Sequence, residues 1–319
     1  MELLFSGVPF SAETQAGAEA ASKALGVTVH VSGPPTFDPP TAISQVQTAL
    51  STGVNGVAVG DEPAPLWTRA LSDAVTKTKG NTVAFDSVPV RGTTVKTYVG
   101  VDATALGKQI ATSAIKAAGL GPSTTGEVII GQCVPQSTPL TQTVGGMEKA
   151  AKMLLPKATV VAPFNSQVVP SANFAAWAQE MRAHPHAVLA LGSCDQDGDS
   201  MIKAKQAAGG HFAIGVTDLD PQVLAGIANG AVASSVAQNW YIEGYTAVRL
   251  MAEAAKKGTV PPAGWIDPGT TVVTKANVAA LQARNASSAG LEAFYKPLVA
   301  KLWSNLSAAT KPLSQVQGG

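Results

Sequence analysis

Short runs of apolar residues alternate along this chain with longer stretches whose apolar positions recur every three or four residues. The first series of short runs covers residues 3–8, 27–31, 53–60 and 82–85, with helical stretches at about 12–25, 39–50 and 65–77 between them. A second series follows, with strands at 127–131, 159–164, 187–191, 212–216 and 232–236, and helices at about 105–118, 145–155, 173–183, 200–208 and 241–257. A last strand falls at 270–273. Strands that alternate with helices specify parallel sheets covered on both faces. The run Gly-Val-Asn-Gly-Val-Ala-Val-Gly at 53–60 is nearly all apolar, as a strand buried on both faces requires.

The two series meet at residues 98–107, Tyr-Val-Gly-Val-Asp-Ala-Thr-Ala-Leu-Gly. A strand ends there at Asp102 and a helix opens at once, with Asp102 or Thr104 able to cap it. If that helix joins a different sheet, the segment is a bridge between two lobes. The chain then returns near 237–239 and 265–269. The expected fold class is α/β: two doubly wound parallel-sheet lobes joined by a three-segment hinge, plus an extra C-terminal helix. The expected division is 1–103 with 238–266, then 104–237 with 267–278, and an extension over 279–319. In that extension Leu291, Phe294, Tyr295, Leu298, Leu302 and Leu306 form an apolar stripe, which predicts a helix packed back onto one lobe.

Composition narrows the function classes. Apolar residues make up 45% of the 319 and charged residues 13%, so the chain can fill two cores. The net charge is +1 with no dense Lys or Arg run, which removes nucleic acid as a partner and a polybasic membrane anchor. No Gly-x-Ser-x-Gly elbow, phosphate loop, dinucleotide fingerprint or Cys-x-x-Cys is present, and no nucleophile is paired with a base. Residues 195–199, Asp-Gln-Asp-Gly-Asp, hint at a calcium loop. The glycine is misplaced, however, and Gln206 stands where a bidentate Glu belongs, so a helix start is the better reading. His184 and His186 straddle a proline at a helix end. The expectation is a protein with no metal, no cofactor and no catalysis.

Several landmarks in order carry a resemblance. They are Pro9-Phe10 and the Gly17-Ala-Glu-Ala stretch, the 53–60 run, Phe85-Asp86, Gly100-Val-Asp102, His184-Pro-His-Ala-Val188, and Val236-Ala-Gln238. Together they resemble type-1 periplasmic solute-binding proteins, nearest the ribose-binding branch, over about residues 3–278. Effector domains of lac-repressor-like regulators share that architecture and are the alternative. The resemblance implies a monomer that holds one small solute between two lobes and hands it to the membrane permease of an ABC transporter. It also implies an exported protein, periplasmic or a cell-surface lipoprotein, whose leader has been removed ahead of Leu3.

In open parallel sheets ligands sit beyond the carboxyl ends of the strands. Reading off the residues after each strand gives Phe10, Asp86, 133–141, Cys194, Asp195, Thr217, Asp218 and Gln238. By resemblance Asp86, Asp218 and Gln238 match solute contacts and Phe10 a stacking aromatic, with Trp240 a further wall. Asp220 competes with Asp218 for its place across a one-residue insertion. Thr141 or Gln142 falls where ribose binders carry arginine, and Cys194 or Asp195 where they carry asparagine. Ser87 also replaces an arginine and Ser11 an aromatic. With those cations gone a buried anionic solute would be uncompensated, so a neutral sugar or sugar alcohol is expected.

Cys133 and Cys194 each follow a strand of the second series, and in doubly wound order those strands are neighbours ~4.8 Å apart. A disulfide is within reach, and two buried thiols are the alternative.

Overall fold

The computed structural model describes residues 1–89 and 92–316. In chain order the elements are α1 (Pro9–Leu25), α2 (Pro39–Ser51), β1 (Val57–Val59), α3 (Ala64–Lys77), β2 (Thr82–Phe85), β3 (Thr97–Val99), α4 (Ala103–Ala117), β4 (Gly126–Gln132), α5 (Thr138–Leu154), β5 (Ala158–Val160) and β6 (Phe164–Asn165). They continue with α6 (Pro170–Ala183), β7 (Ala187–Gly192), α7 (Asp197–Ala208), β8 (Ala213–Thr217), α8 (Pro221–Asn229), β9 (Ser234–Gln238), α9 (Trp240–Lys257), β10 (Gly264–Ile266) and β11 (Thr270–Val273). The end of the chain holds α10 (Val278–Asn285), α11 (Ser288–Ser304), α12 (Leu306–Ala309), β12 (Thr310–Lys311) and a 3-10 turn at Leu313–Gln315.

The chain divides into two compact units. The first comprises Met1–Val101, Asn239–Gly269 and Glu292–Gly319, and the second Asp102–Gln238 and Thr270–Leu291. Asp102 caps α4, its carboxylate accepting from the Ala105 amide at 3.0 Å. Within the expected extension over 279–319, residues up to Leu291 belong to the second unit and those from Glu292 to the first.

The first unit's sheet runs β1-β2-β3-β10-β12. Its strands alternate faces, as a period of two demands. Val57, Val59, Ala84, Tyr98 and Trp265 pack with Val46, Leu50, Trp67 and Leu71 of α2 and α3. Ala58, Val83, Phe85, Val99 and Ile266 pack with Ala18, Ala21, Val248 and Met251 of α1 and α9.

The expected strands at 3–8 and 27–31 are reduced to single parallel bridges, Glu2 with Ser32 and Glu2 with Val59. Beyond Ser32, Pro34 and Pro35 lack the N–H a regular ladder needs, and the Ser6 amide donates to the Pro34 carbonyl oxygen at 2.7 Å outside any strand.

The tail contributes more than a helix. Tyr295 is fully buried, stacked on Tyr241 at 5.0 Å, and its hydroxyl donates to Glu13 at 2.6 Å. β12 then pairs antiparallel with β10, and Leu313 and Val316 reach the α2–α3 side of the core.

The second unit's sheet runs β11-β9-β8-β7-β4-β5, with β6 also beside β4. Its strands are parallel except β11, which pairs antiparallel with β9.

Glycines set the helix spacing in both units. A Cβ on Gly17 of α1 would stand 2.0 Å from the Tyr241 carbonyl oxygen of α9, and one on Gly244 would stand 2.0 Å from that of Thr14. In the second unit Gly107 of α4 and Gly146 of α5 meet the Thr143 and Thr104 carbonyl oxygens in the same reciprocal way, at 1.8 and 2.2 Å. Substitution Gly17→Ala must push α1 off α9, so it should cost about 1–3 kcal/mol and lower Tm by roughly 3–10 °C. Gly145→Ala, where an added Cβ meets nothing within 4 Å, should leave Tm unchanged or raise it. Thermal denaturation of the two variants checks this.

Candidate functional site

The carboxyl ends of the strands collect the polar residues in each unit. In the first, β2 ends at Phe85 and Asp86 turns the chain with φ 61°, in the left-handed region. A non-glycine residue there costs about 1–2 kcal/mol unless its surroundings hold it. They do: the Tyr98 hydroxyl, from neighbouring β3, donates to the Asp86 carbonyl oxygen at 3.0 Å. The Asp86 amide donates to Glu243 Oε1 at 2.5 Å.

Glu243, in the first turn of α9, is wholly buried, and Asp61, two residues after β1, is too. Burial pushes Glu243 well above the usual carboxylate range, with Asp86 and Asp267 adding to it. Asp61 is raised by burial first, then by Glu62 and Asp86. Both Asp61 carboxyl oxygens and Glu243 Oε2 are buried without a hydrogen-bond partner.

An aromatic group gathers at the starts of α1 and α9. Phe10, in the first turn of α1, lies 4.8 Å from Trp240 at a tilt of 35°. Phe5 meets Phe10 edge-on at 5.5 Å and Phe37 at 6.4 Å.

The second unit repeats the aspartate turn. Asp218 follows β8 with φ 64°, and the Ser235 hydroxyl of neighbouring β9 donates to its carbonyl oxygen. Asp218 is buried, as is Asp195 on the loop after β7. Burial, then the charges of Asp218 and Asp220, push the Asp195 carboxyl up to about 10, so it holds its proton and donates it to Asp220. Asp195 Oδ1, Asp220 Oδ1 and Gln238 Oε1 are buried and unpartnered.

Cys133 and Cys194 are joined by a disulfide, with Cα atoms 6.1 Å apart. Their strands, β4 and β7, pair directly. Asp197 ties the same loop down from below. Its carboxylate accepts from Asn173 and Trp177 of α6, each at 2.8 Å, and from the Cys194 amide at 3.0 Å.

Of the residues expected from sequence, the first unit brings together Phe10 and Trp240, and sets Asp86 among acids. The second brings together Cys194, Asp195 and Asp218, with Gln238 at the end of β9. Thr141 is exposed in the first turn of α5, bonded to Ser137 and Gln132, and Gln142 beside it is half-buried. Sequence reasoning missed Asp61 and Glu243. Asp61 was open to the post-strand rule; Glu243 was hidden inside a helix.

Because the folded Asp195 carboxyl sits above its unfolded value of 3.8, the stability it contributes is complete below that pH. That contribution is lost as pH rises toward about 10. The solute-free protein should therefore melt progressively lower from pH 5 to pH 9, and Asp195→Asn should flatten that slope. Calorimetric Tm across that range checks it.

Comparison with known proteins follows the geometry. Residues 4–259 match the periplasmic binding protein domain family. Among curated proteins none matches the chain by sequence. Solved structures of the same fold include a glucose-galactose binding protein from Geobacillus stearothermophilus, 20% identical, with TM-score 0.76, covering 86% of this chain and 97% of that one. A carbohydrate transporter solute binding protein from Agrobacterium radiobacter, in complex with D-arabinose, is 22% identical with TM-score 0.77, covering 87% and 94%. The sugar-binding protein of a sugar ABC transporter from Bacillus halodurans is 20% identical with TM-score 0.77, covering 87% and 98%. Matched over most of its length and built from doubly wound α/β units with acids at their strand ends, this chain belongs to the periplasmic binding protein domain family.

Proposed function

We propose that this protein captures a small neutral sugar or sugar alcohol, of tetritol, pentitol or pentose size, and delivers it to the permease of an ABC transporter. The observation that carries the reading is the row of buried acceptors at the strand ends, namely Asp195 Oδ1, Asp220 Oδ1 and Gln238 Oε1, which have no protein partner. A buried acceptor left unmet costs about 1–3 kcal/mol, and vicinal hydroxyls supply the missing donors. The Phe10–Trp240 pair offers an apolar wall for the C–H face of such a solute. The charged groups acting most on Asp195 are other carboxylates, which disfavour an anionic solute.

In this reading Phe10, Asp86 and Trp240 of the first unit and Asp195, Asp218 and Gln238 of the second grip one solute, with Thr141, Gln142 and Cys194 at its margin. Contacts from both units would favour a closed form, which the permease recognises. The solved sugar-binding relatives support the solute class, and the disulfide supports an oxidising, exported setting over a cytosolic regulator.

A thermal-shift and calorimetric panel of polyols, pentoses, hexoses and sugar acids tests the proposal. Neutral compounds should raise Tm and sugar acids should not; the reverse result defeats it. The backbone strain adds a sharper measurement. Asp218→Gly should leave the solute-free Tm within about 2 °C of the parent or above it, because glycine accepts the left-handed turn. Its Kd for the identified sugar should still rise at least about tenfold, from lost hydrogen bonds worth ~1.5–3 kcal/mol each. Asp218→Ala should lower both binding and Tm.

A further inference from the structure

The loop after β8 carries two of the second unit's acids, Asp218 and Asp220, with Leu219 between them. Its three successive carbonyl oxygens are each held by a different element. The Asp218 oxygen accepts from the Ser235 hydroxyl of β9. The Asp220 oxygen accepts from the Leu224 amide of α8 at 2.9 Å. The middle oxygen, on Leu219, accepts from Asn285 Nδ2 at 2.7 Å, and Asn285 is the last residue of α10.

This middle donor comes from outside residues 4–259, the stretch that matches the family. α10 belongs to the second unit and packs beside α8. Its buried positions are Val278, Leu281 and Arg284, each three residues from the last. The first two are apolar, as a helix face turned to a core requires. The third is an arginine only 3% exposed. A buried guanidinium is costly unless its donors are used, so its presence on that face calls for a role.

The hydrogen bonds supply one. Arg284 Nη1 donates to Asn285 Oδ1. A guanidinium can only donate, so the oxygen of the Asn285 amide must face it and the nitrogen must face away. That nitrogen is the atom that meets Leu219. Arg284 thus decides which way the amide is turned, and the amide holds the peptide between Leu219 and Asp220. With Ser235 holding the preceding peptide, rotation at Leu219 is confined from both sides. The left-handed backbone of Asp218 is disfavoured in isolation, so a turn released at Leu219 would relax and carry both carboxyl groups with it.

We propose that Arg284 and Asn285 of α10 are positioning residues for the solute site, a role that rests on the reading of Asp218 and Asp220 as sugar contacts. They hold the turn between β8 and α8 so that its two carboxyl groups stand in place, and they set affinity without touching the solute.

Asn285→Asp in the full chain tests this. The substituted carboxylate keeps Arg284 as its partner but turns an acceptor toward the Leu219 oxygen. Without solute, deuterium uptake by the segment from Asp218 to Leu224 should become at least about fivefold faster, with Tm within about 2 °C of the parent. Arg284→Met, which frees the amide to turn, should speed the same uptake at least about threefold. Affinity is read by calorimetry with whichever of erythritol, xylitol and D-arabinose binds most tightly. Its Kd should rise at least about fivefold in Asn285→Asp. Leu281→Ala, a cavity on the same helix face, should do the reverse, lowering Tm by at least about 4 °C while Kd stays within about twofold. Parent-like uptake in Asn285→Asp would overturn the positioning role. An equal rise of Kd in Leu281→Ala would overturn it too, since α10 packing and not the amide would then be the cause. Failure of the parent to bind any of the three compounds would instead defeat the solute reading, while uptake would still decide whether Asn285 holds the turn.

Discussion

A pair of aspartate turns anchors the polar chemistry of the molecule. Asp86 and Asp218 each follow a parallel strand, each takes a left-handed backbone, and each has its carbonyl pinned by a hydroxyl from the neighbouring strand, Tyr98 in one unit and Ser235 in the other. That backbone is disfavoured for aspartate, so the two turns persist because packed sheets hold them. Each donor sits on a strand buried by helices, which turns core packing into placement of a carboxyl group. Two units with different sequences arrive at the same local solution. Both also space their leading helices by reciprocal glycine contacts, Gly17 with Gly244 and Gly107 with Gly146.

Around those turns the electrostatics are one-sided. Asp61 and Glu243 in the first unit, and Asp195 and Asp220 in the second, lie in low-dielectric surroundings beside other acids. Neutralisation by proton uptake is the cheapest answer to such crowding, and a carboxylic acid can donate as well as accept. A site of this kind suits hydroxyl groups, which do both. The disulfide and the Asp197 hydrogen bonds fix the Asp195 loop from two directions, so the protein itself orders this acid.

Much of this was legible in the chain. The alternation of strands and helices gave the architecture, and the rule that sites lie past strand ends led to Asp86, Asp195, Asp218 and Gln238. The neighbouring positions of Cys133 and Cys194 followed from strand order alone. Other features were hidden for physical reasons. Nothing distinguishes a left-handed aspartate from an extended one in sequence, since the conformation is imposed by hydroxyls far along the chain. Glu243 reads as one more polar position on a helix, though it turns inward to meet the Asp86 amide. The run at 3–8 looks like a full strand, but the prolines after Ser32 withhold the N–H groups a regular ladder needs, and the bridges formed are those of Glu2. Thr310 and Lys311 form a strand too short to carry any pattern.

That two-residue strand has an outsized consequence. It lies antiparallel along β10 at the margin of the first sheet, with the Lys311 ammonium 4.3 Å from the Trp265 ring. An uncovered β10 would offer its free amides and carbonyls to any passing chain, the usual route to edge-to-edge aggregation. A charged, very short terminal strand is the sort of gatekeeper that closes this route. Clipping by a protease ahead of Thr310 would leave the buried acids at the strand ends in the chain, yet uncover β10 and yield a species prone to clump.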